Sequence, residues 1–505
     1  MFRLLARVLT ALAFLLAVTV VLPQPAAAVQ NPHVAHLIMV KSQANRKSPV
    51  PAAEPLLVAP AGAIVHVAAR GESLPSVARL YLKKTSYLTS SELADAMRQA
   101  NGNRQGNMLR PGEQLIVPGI LESPIVEKTV AVPKDFEVRA IYLTGVMAGS
   151  DHGLRIIRRW REVGGNAVVF DIKDSDGIVN IPFDHPLASG QRHYIHDLAK
   201  FTRFLHSQNM HAIARIAMFR DEHLVTTHPE LAVQSRKSGQ AWRENGKLVW
   251  TDTSNAKVQE YDIALAKFVA QSGVDEIQFD YVRFPAEGDQ KDAEFKFQTE
   301  HPKWQRADVI ADFLKRAYAE IHPTGALLSL DVFGIMAWQR PVDLSHTGQD
   351  IVRMAQHCDV LSPMIYPSHF FGMEGIARPG DAPEHFIGES MDRFMKITQG
   401  SGVVIRPWLQ AFAWRTKTYS PEYVKVQIAV AKQKGGVGFL FWNANNDYSK
   451  PYAAMPEMMA SKGKYFRGDG LPKTEAAAPA APVVTAPAPS IQPVSSPTPM
   501  KIWRH

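Results

Sequence analysis

The feature that most constrains the fold is a repeated alternation of apolar, strand-like runs with amphipathic, helix-like stretches. The run Glu276–Phe284 shows the strand type: it is largely apolar, carries Asp280 and Arg283 toward its end, and is stopped by Pro285. Eight runs of this kind follow one another along the chain, at Val138–Gly145, Ala167–Asp174, Ile213–Asp221, Glu276–Phe284, Leu327–Phe333, Val360–Pro367, Val403–Phe412 and Gly436–Asn443.

Helix-like stretches separate these runs, at Leu154–Val163, His196–Gln208, Ala256–Gln271, Trp304–Ile321, Ile351–Cys358, Ser390–Thr398 and Pro421–Lys434, with a last helix after Pro451. Eight strand–helix units predict an α/β fold closed into a (β/α)8 TIM barrel. An open, doubly wound sheet is the alternative. It would normally carry a glycine-rich phosphate loop after the first strand, and Gly145–Gly149 matches that loop poorly.

The first residues of the chain have the features of an export signal. Two early positive charges precede the apolar run Val8–Leu22 and three alanines ending at Ala28, which is typical of a signal peptide over residues 1–28. An uncleaved membrane anchor is the alternative, although the run is shorter than the ~20 residues a span needs. No later segment is long enough to cross a bilayer. We therefore expect a protein of the periplasm or cell envelope, or a secreted one.

The cysteine count and the net charge restrict the kinds of site and partner that the chain can have. Cys358 is the only cysteine, which excludes an internal disulfide and a cysteine-based zinc site within the chain. The formal charge of +8 comes without a Lys/Arg block, so nucleic acid is not an expected partner. Teichoic acids, anionic lipid headgroups or acidic glycans would fit this charge, as would a purely solubilising role. Residues 29–62 predict a Pro/Ala-rich linker and 467–505 a disordered Ala/Pro-rich tail.

Residues 63–120 predict a small β-α-α-β unit ahead of the barrel. Val67, followed by Gly71-Glu-Ser-Leu, then Ala100-Asn101, and finally Leu109-x-Pro-Gly-x-x-Leu-Ile-Val-Pro resemble a LysM domain. The resemblance implies binding of peptidoglycan or another glycan that contains N-acetylglucosamine. An inserted Lys83–Leu88 segment departs from the pattern, and a spacer module without glycan affinity is the alternative.

Two carboxyl groups are the candidate catalytic residues. Asp280 and Asp331 end the fourth and fifth predicted strands, and a barrel collects such residues at the carboxyl ends of its strands. Glycosidic cleavage needs one ionised carboxylate and one protonated carboxyl across the bond. We assign Asp280 as nucleophile or base, kept ionised by Arg283 or Lys173, and Asp331 as the acid. Because register cannot be read from sequence, retention and inversion both stay open, and either aspartate could be purely structural.

A mixture of aromatic, amide and charged side chains at the same strand ends suits a sugar, because aromatic faces stack on pyranose rings while polar groups bond the hydroxyls. The predicted substrate-binding residues are Asp171, Lys173, Asp174, Arg215, Arg283, Tyr366, His369, Trp408, Gln410, Trp442 and Asn443. Core packing is the alternative for the aromatic ones. No motif calls for a cofactor or a metal. A metal-dependent polysaccharide deacetylase, using residues such as His152, His185 and His223, is a weaker alternative.

The same segments carry a family resemblance. Ala167 to Gly177, Ala214 to Asp221, Phe279-Asp-Tyr-Val-Arg-Phe-Pro285, Leu361 to His369 and Gly438 to Asn443 resemble the "putative glycoside hydrolase domain" family. The resemblance implies a TIM barrel over residues 136–466 and a distant kinship with glycosidases that place carboxylates after the fourth and fifth strands. Such relatives often have Glu where this chain has Asp331.

The sequence therefore predicts an exported glycoside hydrolase that acts on a cell-envelope or extracellular polysaccharide, next to a LysM-like glycan-binding unit. The competing class is a non-catalytic glycan-binding or envelope-organising protein.

Overall fold

The computed structural model describes residues 57–468. The predicted signal peptide, most of the first linker and nearly all of the C-terminal tail lie outside these residues.

The first folded unit contains two strands and two helices. Strand β1 (Ala63–Val67) pairs antiparallel with β2 (Gln114–Pro118), and α1 (Leu74–Tyr81) and α2 (Ser90–Ala100) lie between them in the chain. Capping fixes the start of α2, because the Thr89 hydroxyl accepts from the Glu92 N–H while the Glu92 side chain accepts from Thr89. The predicted β-α-α-β order is observed; the LysM assignment and its ligand stay predictions.

The second unit is a closed barrel of parallel strands, so the predicted fold class is confirmed. Around the barrel the order is β3, β4, β5, β7, β9, β10, β12, β13 and back to β3, with the short β11 beside β10. A further short pair, β6 with β8, is antiparallel and lies outside the barrel. The strands are β3 Val138–Leu143, β4 Ala167–Lys173, β5 His211–Ala217, β6 Gln234–Ser235, β7 Glu276–Asp280, β8 Ala293–Glu294, β9 Leu327–Phe333, β10 Val360–Met364, β11 Val404–Ile405, β12 Trp408–Gln410 and β13 Gly438–Trp442.

Helices connect the strands around the outside. They are α3 Gly145–Ala148, α4 Asp151–Glu162, α5 Leu198–Ser207, α6 Glu222–Thr227, α7 Ala256–Gln271, α8 Phe297–Glu300, α9 Arg306–Ile321, α10 Pro341–Thr347, α11 Ile351–Met354, α12 Pro383–Ile397, α13 Pro421–Gln433, α14 Ser449–Ala460 and α15 Lys462–Tyr465. Local chemistry marks several starts: Asn255 caps α7, and Ser420 caps α13 with Pro421 at its first position. Helix α12 begins at Pro383, well before the predicted Ser390.

Two strands are shorter than predicted for backbone reasons. Strand β7 ends at Asp280 because Tyr281 has a left-handed backbone, with φ of 53°. The predicted strand Val403–Phe412 is divided into β11 and β12, and Pro407, which has no N–H for the ladder, lies in the break. The strand residues themselves are nearly all buried, as in parallel sheets covered by helices on the outside.

Side chains alternate between the barrel interior and the layer under the helices. At the amino ends of the strands, the barrel interior contains a cluster of charged side chains. In this cluster Glu276 contacts Arg406 at 2.8 Å and His211 at 3.0 Å. Although burial opposes ionisation, Arg406 and His211 hold the pKa of Glu276 down to about 2. Arg406 therefore belongs to the closed end of the barrel, which leaves the carboxyl ends of the strands as the open, functional face.

The first unit packs against the outer helices of the barrel. The buried Lys200 on α5 donates to the Leu82 carbonyl at 2.9 Å, Arg158 on α4 pairs with Glu92 at 3.4 Å, and Thr89 donates to Asp151. These contacts hold the unit in place on the barrel wall. In the region from residue 57 to residue 468, the helices are all too short or too polar to cross a membrane.

Candidate functional site

The register between β7 and β9 places the two candidate catalytic residues side by side. Phe279 lies opposite Leu330, so Asp280 and Asp331, the next residue on each strand, are at the same level. Parallel neighbours are ~4.8 Å apart in the sheet, and side chains at one level of a barrel point the same way. The sequence could not supply this register.

One guanidinium, that of Arg215 on β5, joins the carboxylates of four aspartates. Its terminal nitrogens lie 2.6 Å from an Asp280 oxygen, 2.5 Å from Asp171 and 3.2 Å from Asp174, and its Nε lies 3.8 Å from Asp331. We call these five residues the Arg215 cluster. Asp280 and Asp331 therefore lie beside the same guanidinium, at one level of neighbouring strands, as the two carboxyl groups of a hydrolase pair must.

The carboxyl groups of the cluster differ in their pKa values. Burial, reinforced by the charge of Asp280, raises the pKa of Asp331 well above its usual range despite the opposing effect of Arg215. Burial also raises the pKa of Asp171 to about 7. For Asp174 burial is outweighed by Arg215 and by the Ser175 N–H, and the pKa is lowered. The cluster thus combines protonated and ionised carboxyl groups at neutral pH.

The aspartate side chains of the cluster also differ in their exposure to solvent. The Asp331 side chain is 1% exposed, whereas Asp280 is 12% and Asp174 is 41% exposed. Asp280 is therefore at the boundary between the buried charge network and the open face of the barrel. The N–H of Tyr281 donates to Asp280 Oδ1 at 2.6 Å, so the left-handed turn after β7 also fixes the carboxylate.

The structure corrects the prediction for Lys173. Its side chain is fully buried and pairs with Asp262 at 2.8 Å and Asp221 at 2.9 Å, beneath the helices. A β-bulge between Asp171 and Lys173 reverses the alternation, so Asp171 faces the barrel interior while Lys173 faces outward. Lys173 neither touches substrate space nor supports Asp280.

Arg283 does not support Asp280 either, since the contact predicted for it is made by Arg215. The Arg283 guanidinium donates to the Phe284 carbonyl at 3.1 Å and lies over the rings of Phe333, Trp250 and Tyr281. It lies near the carboxyl ends of β7 and β9, and its predicted contact with substrate stays a prediction.

Three other predicted sugar contacts have structural partners. Trp408 is buried and donates its indole N–H to Asp331 at 2.6 Å. Gln410 accepts from the Ser368 N–H and donates to Thr416 and to the Phe412 carbonyl. Asn443 donates to the Ala411 carbonyl and accepts from the Asn445 N–H. All three side chains are buried and their polar groups are engaged by these partners.

Tyr366, His369 and Trp442, by contrast, belong to a continuous series of ring contacts that leads outward from the Arg215 cluster. Centroid distances run from 5.1 to 6.4 Å along this aromatic wall, which contains Tyr142, Trp442, Phe412, Tyr366, His369 and Trp414. Tyr142 donates to Asp171 at the inner end, and Trp414 is 50% exposed at the outer end. Burial and the charges of Asp331 and Asp280 raise the Tyr366 pKa, so its hydroxyl stays protonated.

Sequence reasoning missed Tyr142 and Trp414. Tyr142 could have been found from the alternation along β3, which points it into the barrel. Trp414 lies in a loop after β12, where no periodicity applies.

Within the described part of the chain, no group of three or more His, Cys, Asp or Glu side chains is arranged to hold a metal ion. His152 contacts Arg155, and His185 stacks on Phe183 at 5.5 Å.

Several solved structures are similar to this chain. A hypothetical protein from Ruminiclostridium thermocellum is 35% identical, with 38% of this chain and 97% of that chain covered and a TM-score of 0.34. The glycoside hydrolase domain of PgaB (BpsB) from Bordetella bronchiseptica is 14% identical, with coverages of 66% and 99% and a TM-score of 0.49. The catalytic domain of β-amylase from Paenibacillus polymyxa is 12% identical, with coverages of 66% and 99% and a TM-score of 0.44. No curated protein matches the chain.

The model of a family described as "Putative glycosyl hydrolase domain" matches residues 140–448. This segment is more than half of the chain and includes every member of the Arg215 cluster. The chain therefore belongs to the putative glycosyl hydrolase domain family, and its barrel is of the glycoside hydrolase type.

Proposed function

We propose that this glycoside hydrolase cleaves a polysaccharide of the cell envelope or extracellular matrix by a two-carboxylate mechanism. Asp280 is the ionised carboxylate that attacks the anomeric carbon or activates water, and Asp331 is the proton donor to the leaving oxygen. The observation that carries this proposal is the Arg215 cluster, in which Asp280 and Asp331 share one guanidinium at one level of neighbouring strands.

The roles follow from the different environments of the two carboxyls. Asp280 contacts Arg215 at 2.6 Å and reaches the open face, as a nucleophile or base must. Asp331 keeps its proton because its pKa is raised, as an acid must. Its side chain is closed to solvent, so substrate binding has to open a path to the glycosidic oxygen. Placement at one level favours the short, ~5–5.5 Å separation of retaining enzymes.

A polymer is the proposed substrate because the aromatic wall extends well beyond the reacting pair. Trp414, at its outer end, offers an exposed ring face on which a further sugar of the chain could stack. The predicted export signal and the predicted LysM-like unit favour a cell-envelope glycan, with peptidoglycan as the proposed ligand of that unit. Since the unit packs on α4 and α5, it would present bound polymer at a fixed position rather than on a loose tether.

The test is release of reducing ends from peptidoglycan and a panel of bacterial exopolysaccharides. Asp280→Asn should lower kcat at least ~100-fold on any substrate that the natural chain cleaves, because the amide cannot act as nucleophile or base. Asp289→Asn, which removes an exposed carboxylate paired with Lys237, is the matched control and should keep full activity. Equal release by the Asp280→Asn variant and the natural chain would contradict the assignment. No release on any substrate would favour a non-catalytic glycan-binding protein.

Asp331→Asn should separate catalysis from stability. Because folding raises the Asp331 pKa, the natural chain is most stable relative to the variant at low pH and loses that stability as pH rises through the folded pKa. The variant never ionises at this position, and its amide oxygen can still accept from Trp408. We therefore expect the melting temperature of the variant to rise relative to that of the natural chain as pH increases above about 4, where the unfolded carboxyl ionises, while kcat falls ~100-fold. A pH-independent difference in melting temperature would argue against a protonated Asp331.

A further inference from the structure

A buried cation that has no carboxylate partner among the described residues lies just after the carboxyl end of β7. Arg283 is 9% exposed, and none of the described carboxylates is close enough to pair with it. Its hydrogen-bond acceptor among the described residues is the Phe284 carbonyl, which engages one nitrogen of the guanidinium. Burying an uncompensated charge is costly, so buried guanidinium groups are normally paired.

The surroundings of Arg283 are aromatic. Its guanidinium carbon lies 4.3 Å from the ring centroid of Phe333, 4.7 Å from Trp250 and 5.4 Å from Tyr281. These faces contribute favourable cation–π contacts but offer no hydrogen-bond acceptor to the remaining N–H donors. Burial is strong enough to lower the Arg283 pKa to about 10.

A second guanidinium lies on the same ring. The guanidinium carbon of Arg220 is 5.5 Å from the Tyr281 ring centroid, and Arg220 too forms no ion pair with any described residue. Tyr281 directly follows Asp280, and Phe333 is two residues beyond Asp331, so both cations lie on rings at the carboxyl ends of the strands that carry the proposed catalytic pair. The carboxylates whose charges reach Arg283 are Asp280 and Glu244, and neither bonds to it.

We propose that Arg283, helped by Arg220, binds an anionic substituent of the sugar next to the cleavage point, so that the substrate is an acidic glycan. This rests on the proposed function for the identity of the site. A planar guanidinium forms paired, charge-assisted hydrogen bonds with carboxylate and with sulfate or phosphate oxygens. The rings of Phe333, Trp250 and Tyr281 would hold the guanidinium in one orientation. The net charge of +8 also favours approach of a polyanion.

The test is equilibrium binding by calorimetry, with the full chain carrying Asp280→Asn so that hydrolysis cannot interfere. The first probe pair is an oligogalacturonate and its methyl ester, which differ only in the masked carboxylate. The second pair is a sulfated galactan oligosaccharide and its desulfated form, which distinguishes sulfate from carboxylate recognition. We expect one acidic probe to bind at least ~10-fold more tightly than its neutral counterpart, and Arg283→Met to abolish that preference.

Two further variants guard against a folding defect. Arg283→Lys keeps the charge but not the fork and should retain only part of the preference, and Arg220→Met, at a partly exposed position, should weaken it several-fold. No preference for either acidic probe, including no binding by any probe, would overturn the proposal. The two proposals fail separately. If an acidic probe is preferred in binding but the natural chain hydrolyses no substrate, only the catalytic assignment is contradicted. If the natural chain hydrolyses glycans but binds neither acidic probe more tightly than its neutral counterpart, only the acidic-glycan proposal is contradicted.

Discussion

Arg215→Met is expected to lower the free energy of unfolding by about 3–5 kcal/mol at neutral pH and to abolish catalysis. The guanidinium is buried and contacts Asp171, Asp174, Asp280 and Asp331. Without it, four carboxyl groups share one end of the barrel with no cation in contact. The proposed nucleophile, Asp280, also loses the ion pair that orients it.

The stability loss should depend on pH, and its sign follows from the carboxyl pKa values. Burial already raises the Asp171 pKa to about 7 and raises that of Asp331 well above normal with Arg215 present, and removing the cation raises both further. A raised folded-state pKa gives stability at low pH that disappears as pH rises. The deficit of the variant should therefore be smaller near about pH 5 than near about pH 8.

Urea melts of the natural chain and the variant at both pH values measure this deficit. Arg159→Met is the matched control, because Arg159 pairs with Glu162 on the exposed face of α4 and such pairs contribute only ~0–1 kcal/mol. An Arg215→Met deficit below ~1 kcal/mol, or one that does not change with pH, would show that the cluster is not held together by this guanidinium.

The sequence predicted the barrel well because parallel strands under helices leave a strong signal. Runs such as Leu327–Phe333 and helices such as Ala256–Gln271 were placed with their observed bounds. The levels of Asp280 and Asp331 follow from register, which depends on strand pairing and is not encoded within either strand alone. Their side-by-side placement therefore cannot be read from the sequence.

The errors over Lys173 and Arg283 share one physical origin, which is local backbone irregularity. A strict alternation would point both Asp171 and Lys173 into the barrel, and the bulge between them sends Lys173 outward. The left-handed Tyr281 ends β7 and moves Arg283 out of strand geometry, away from Asp280. Such features depend on tertiary packing, so periodicity cannot reveal them. The type and position of Arg215 predict a substrate contact, but its role as the common partner of four carboxylates depends on the tertiary structure.

Lys173→Met is expected to destabilise the fold by about 3–5 kcal/mol at neutral pH without acting on the catalytic face. The ammonium is buried and bonds Asp262 at 2.8 Å and Asp221 at 2.9 Å, which joins β4 to α7 and to the start of α6. Removing it leaves two buried carboxylates without a cation. Burial raises the Asp262 pKa to about 7 even beside Lys173, so the deficit should shrink on acidification as the carboxyls take up protons.

Denaturant unfolding of three variants measures this effect. Lys267→Met is the matched control: Lys267 also joins α7 to a neighbouring helix, through Glu320 at 2.7 Å, but both side chains are 46% exposed, so the loss should be below ~1 kcal/mol. Asp262→Asn combined with Lys173→Met should recover part of the stability, because one unpaired charge is then absent. If Lys173→Met instead left stability unchanged and raised KM for the polysaccharide, Lys173 would be a substrate contact, as the sequence alone predicted, and the outward orientation produced by the bulge would be wrong.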